Sequence, residues 1–209
     1  MVNLGCISHW NDGSFKNEGF KNVNKKLKDE TKAYQGELDT YRMAMRKARL
    51  WYIEGNHEDW VRGYAEKYSQ PEEINIRSLL NLKQKKITFI PRGAYVKEGR
   101  IYFCHGDQWG STNPSKQAVE RGGNTVVMGH WHTYKVWSHY SAIETKRKFV
   151  GVCSPCYSSL APSYLRGRST NWMNGFFWAC IKKSGNFSFG VVLVSPKGHF
   201  VTSQGVEYT

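Results

Sequence analysis

Three short strings in this chain set histidine, asparagine and glycine directly after apolar, strand-type runs, and they favour a fold that brings strand ends together. Gly55-Asn56-His57-Glu58 follows Leu50–Ile53, His105-Gly106-Asp107 follows Arg100–Cys104, and Gly129-His130-Trp131-His132 follows Thr125–Met128. Loops leaving the carboxyl ends of neighbouring strands are where an open α/β sheet collects its ligands. Four of the seven histidines fall in these strings. Neutral imidazole is a common ligand for Zn, Mn and Fe, and a glycine beside a histidine lets the backbone turn sharply toward a bound ion. Singly, each string is weak, since a lone histidine at a strand end is more often a hydrogen-bonded surface residue than a ligand. Their order and spacing together point to a metal site.

The remaining pattern predicts a layered α/β arrangement. From about Asn22 to Leu50, the spacing of Tyr34, Leu38, Tyr41, Met45 and Ala48 marks one face of a long helix. A second helix is expected over about Glu58–Tyr68, ending before Pro71, and a third over Ser115–Arg121. Strands are expected at Ile87–Ile90, Ala94–Lys97, Arg100–Cys104 and Thr125–Met128. Further strands are expected near Lys135–Ser138, Phe149–Cys153, Phe176–Ile181 and Phe187–Val194.

A chain of 209 residues fits a single domain, 1–209, with a substantial core. With 40% hydrophobic and 22% charged residues it is not of disordered composition. No apolar run reaches membrane-spanning length, and the start lacks the basic-then-apolar pattern of a secretory signal. Five cysteines, an odd number, argue against a disulfide scaffold. These features place the chain in the cytoplasm with reduced thiols. Cys153-Ser-Pro-Cys156 reads as two packing thiols near a turn, since no second CxxC accompanies it.

The formal charge of +13 is uneven: residues 133–209 carry nine Lys and Arg against Glu144 and Glu207. A basic surface attracts polyanions, because each phosphate contacted releases counterions. Lys146, Arg147, Lys148, Arg166 and Arg168 are the densest points and the candidate nucleic-acid contacts. Taken one cluster at a time, a solvated loop explains them as well.

In these strings the chain resembles the calcineurin-like metallophosphoesterases, particularly members of phage and bacterial type. That family carries, in order, DxH, GD, GNH followed by Asp or Glu, a lone His often followed by Gly, and GHxH; this chain has the last three blocks. Asn171-Trp172 and Gly175-Phe176 match a late segment of the same type. The resemblance implies a β-sandwich flanked by helices and one or two divalent ions, Mn, Fe or Zn. Asn56, His105 and His130 would ligate one ion and His132 the other, with His57 stabilising or protonating phosphate oxygens. In such sites two ions about 3.5–4 Å apart clamp a phosphate and activate a water for in-line attack. The implied activity is hydrolysis of phosphate esters, with diesters and nucleic acid among the candidate substrates.

The first two family blocks have no counterpart here, and Gly5-Cys6 stands where GD is expected. Three expectations arise from this. The N-terminal βα unit is missing and a partner fragment supplies it, or one metal site has been lost, or Cys6 substitutes as a ligand. His9 and Asp12 have no matching spacing. Either way, Asn56, His105 and His130 retain the means to hold one ion, and activity of the chain alone is expected to be weak. A missing strand would leave a sheet edge open to pairing with a second copy. Two other readings stay open: a nucleic-acid-binding module without catalysis, and a structural zinc on His105, His130 and His132 with Cys104.

Overall fold

A computed structural model describes residues 20–67, 75–110, 112–140, 148–161, 166–202 and 204–209. The chain divides into two compact units, Met1–Arg92 and Gly93–Thr209. The mixture of helices with a five-stranded mixed sheet is an α/β architecture. Among the described residues, no helix is long and apolar enough to cross a membrane.

In the first unit, helix α1 (Phe20–Ala44) leads into strand β1 (Leu50–Ile53), helices α2 (Asn56–Lys67) and α3 (Ile76–Leu79), and strand β2 (Ile87–Ile90). β1 and β2 pair in parallel, Leu50 against Ile87 through Ile53 against Ile90. The expected helical stripe is the packing face: Leu38 is fully buried, and Tyr34, Tyr41, Met45 and Ala48 pack on the same core. α1 stops six residues short of the expected end. The Arg42 side chain donates to the carbonyls of Met45 (3.3 Å), Ala48 (3.0 Å), Lys85 (2.9 Å) and Lys86 (2.9 Å). Its guanidinium so ties the turn between α1 and β1 to the residues just before β2.

In the second unit, strands β3 (Val96–Glu98), β4 (Ile101–Cys104), β5 (Thr125–Met128), β6 (Lys135–Tyr140) and β7 (Lys148–Cys153) form one sheet in the order β3-β4-β5-β7-β6. β4, β5 and β7 run parallel in the centre; β3 and β6 are antiparallel edges. The alternation of side chains sorts the sheet into two faces. Ile101, Val127, Val150 and Val152 meet Phe177, Ala179 and Phe189 from the antiparallel hairpin of β8 (Gly175–Ile181) and β9 (Phe187–Leu193). Cys104, Val126, Met128 and Cys153 take the other face with Ala118 of helix α4 (Pro114–Gly122). Hairpin, sheet and helix are thus three layers, and a short pair, β10 (Phe200–Val201) and β11 (Glu207–Tyr208), comes after β9.

α4 is bounded by chemistry written in the sequence. Asn113 caps it by accepting from the Lys116 N–H (3.3 Å), Pro114 opens it, and Gly123 ends it at φ +62°. It lies against β7 at Gly151, where an added Cβ would run into the carbonyl of Ser115. That obstruction is backbone, so the helix itself would have to move. Gly151→Ala is expected to lower the unfolding free energy by about 1–3 kcal/mol, measured by urea denaturation.

Candidate functional site

The central parallel strands end level with one another. Cys104 pairs with Met128, and Met128 with Cys153, so the next residues leave the sheet at one height. His105 comes directly after Cys104, and His130 is two residues beyond Met128. Their rings meet edge to face with His105 Nε2 and His130 Nδ1 3.1 Å apart. His105 is only 6% exposed. Gly106 makes this approach feasible: it sits at φ +104°, and a Cβ there would fall 2.6 Å from the Cβ of Met128.

The GHWH loop is built differently from the sequence expectation. Gly129 does not take up the left-handed backbone; His130 (φ +56°) and His132 (φ +55°) do. The Trp131 N–H donates to the Gly129 carbonyl (2.6 Å), closing a three-residue turn on His130. Left-handed backbone at a non-glycine residue costs on the order of 1–3 kcal/mol and persists only where surroundings enforce it. Here the enforcement is visible. The Trp131 indole donates to the Gly106 carbonyl (3.2 Å) and stands edge-on to the His130 ring, 4.8 Å between centroids. The Met173 N–H donates to the His132 carbonyl (2.7 Å), and the Trp172 ring packs on His132 at 4.3 Å.

His132 packs its ring against Trp172. Among the described residues, no three His, Cys, Asp or Glu side chains converge as a metal-ready group. The donor chemistry of the His105–His130 pair does fit an ion. Two metal–nitrogen bonds of about 2.1 Å, opened by about 90–110°, put their nitrogens about 3.0–3.4 Å apart. The remaining donors would come from elsewhere.

Asn56 and His57 belong to the first unit, where GNHE is a helix start rather than the expected loop. They are the first two residues of α2. Glu58, in the third position, accepts the Gly55 N–H on Oε2 (2.8 Å) and the Tyr52 hydroxyl on Oε1 (2.6 Å). This is the carboxylate half of a capping box, closed over a Tyr from β1. Glu54 accepts the Arg92 N–H (3.0 Å) and gives its own N–H to the Ile90 carbonyl (2.8 Å). Both carboxylates are buried and committed to holding Gly55, Asn56 and His57 at the end of β1.

The basic candidates are dispersed. Lys148 begins β7, five residues before Cys153, so it lies at the far end of that strand, about 16 Å along it. Arg166 and Arg168 are exposed. Lys146 and Arg147 lie outside the described residues, as do Cys6, His9 and Asp12.

The described cysteines, Cys104, Cys153, Cys156 and Cys180, are unpaired. Burial pushes the Cys104 thiol up to about 12 and the Cys153 thiol up to about 11. Sequence reasoning passed over Glu58, Tyr52, Trp131 and Trp172. The signals were present as a Glu three residues after Gly55 and as a Trp within or beside each late motif.

Comparison with family models, with curated proteins and with solved structures finds no match to this chain.

Two outcomes are expected. Glu58→Gln swaps one acceptor for an amide that faces a donor, costing about 1–3 kcal/mol in urea unfolding. The buried thiols stay protonated in the folded chain while those of the unfolded chain ionise above 9.0. Their contribution is whole below that pH and is lost as pH rises toward 11–12. The drop in urea midpoint between about pH 8 and 10 should be smaller in Cys153→Ala than in the parent chain.

Proposed function

We propose that this chain is a metal-dependent phosphoesterase of calcineurin-like type, with His105 and His130 as two ligands of one divalent ion. The observation that carries the reading is the 3.1 Å approach of His105 Nε2 to His130 Nδ1 at the ends of two parallel strands. The left-handed backbone held at His130 supports it, because such strain clusters at ligand and active sites.

The chain's own residues divide the work. His105 and His130 bind with their ring nitrogens. Trp131 holds the His130 ring by edge contact and by its bond to the Gly106 carbonyl. The family resemblance assigns Asn56 an amide oxygen for metal ligation and assigns His57 the contact to a phosphate oxygen and the proton given to the leaving group. Glu58 and Glu54 fix the stretch carrying both. A bound divalent ion supplies a Lewis acid that polarises a phosphoryl oxygen and makes a water nucleophilic near neutral pH. With one histidine pair gathered, a single ion and slow turnover are the expected state.

The chain loaded with Mn(II) should hold about one ion, by elemental analysis, and turn over bis-p-nitrophenyl phosphate until EDTA is added. His105→Ala and His130→Ala should each lose the ion together with turnover. His57→Ala should keep the ion and lose about 10²-fold or more in rate. Turnover indifferent to EDTA, or metal content unchanged in His130→Ala, would defeat the proposal.

A further inference from the structure

The end of the sheet that carries the histidine pair also carries aromatic rings open to solvent. Tyr134, two residues beyond His132, is 38% exposed, and Tyr157, next after Cys156, is 76% exposed. β6 begins with Lys135 paired to Cys153, the last residue of β7, which puts Tyr134 and Tyr157 at the same end. The chain from Arg166 returns there too. The Met173 carbonyl accepts from the Cys156 N–H (3.0 Å), and the Met173 N–H reaches the His132 carbonyl. Exposed Arg166 and Arg168 lead into that return, and Trp172 lies within it.

Single exposed tyrosines are ordinary. Their setting here is not. Between residues 121 and 206, Glu144 is the sole acid against ten Lys and Arg. Of these, Lys135 begins β6 and Arg166 and Arg168 lead into the Met173 return; against them stands Asp107, two residues after His105, and the remaining positive excess is complementary to a polyanion. Rings interleaved with cations narrow the polyanion further. Unpaired bases offer π-faces to stack, while the phosphates between them meet the cations. A duplex keeps its base faces within its own stack, and an acidic polypeptide has few rings to offer.

We infer that this rim binds single-stranded nucleic acid, with Tyr134 and Tyr157 stacking bases and Lys135, Arg166 and Arg168 meeting phosphates. That the bound strand is also the substrate rests on the phosphoesterase reading; the binding does not. The same end of the sheet presents the His105–His130 pair, so a strand lying along the rim brings its phosphates there.

The test is fluorescence anisotropy in EDTA, with a labelled oligo-dT of about 15 nucleotides, a length that one such platform accommodates. The oligonucleotide should bind more tightly than a duplex of equal length, with affinity falling linearly in log salt. Tyr134→Ala combined with Tyr157→Ala should weaken binding about tenfold or more at an unchanged salt slope, while the paired Tyr→Phe changes keep it. Arg166→Ala with Arg168→Ala should reduce the slope by about 1–2. Equal affinity for duplex, displacement by polyglutamate at matched charge, or indifference to the Tyr→Ala pair would overturn the inference. Because EDTA removes metal, binding with no bis-p-nitrophenyl phosphate turnover in the Mn-loaded chain would uphold the rim and remove the hydrolytic reading alone.

Discussion

Cys104, Met128 and Cys153 end three parallel strands at one height, so the loops leaving those strands must crowd a single edge of the sheet. Gly106 lets the first of those loops cross against Met128. The second turns on His130, and the third, through Cys156, carries the hydrogen bonds that tie in Trp172. The order of these loops comes from the strand register, and a one-residue slip of β5 would exchange its inward and outward sets and carry His130 away from His105.

The second layer of control is polar and lies beneath the GNHE string. Glu54 and Glu58 each accept a backbone N–H close in space to that string, and Glu58 takes the Tyr52 hydroxyl as well. These buried carboxylates act as structural clamps, accepting the Gly55 N–H at the helix start, the Arg92 N–H after β2 and the Tyr52 hydroxyl of β1. In the second unit the corresponding work falls to indoles: Trp131 and Trp172 brace the histidines by ring contact.

Much of the framework was legible in the sequence alone. β2 and β5 match their expected limits because compact apolar runs end at turn residues, Pro91 after β2 and Asn124 and Gly129 around β5. α4 is readable from Asn113, Pro114 and Gly123, all local signals. The end of α1 was not, because it depends on Arg42 reaching carbonyls more than forty residues away. Nor was the helical start at Asn56, which lacks a Ser, Thr, Asp or Asn cap and is secured by a tyrosine from the preceding strand. The meeting of His105 with His130 was foreseeable from two strings at adjacent strand ends. That His132 would turn to Trp172 was not, since an alternating pattern suggests a strand and the backbone here is left-handed at both histidines.

Those two left-handed histidines make the GHWH loop the place where the second unit carries backbone strain. Glycine would sit at either position at lower cost, so local comfort and the side chains present pull in opposite directions within four residues. The apolar faces of β4, β5 and β7 carry no such conflict, and their packing is the fixed frame against which the strained loop is held.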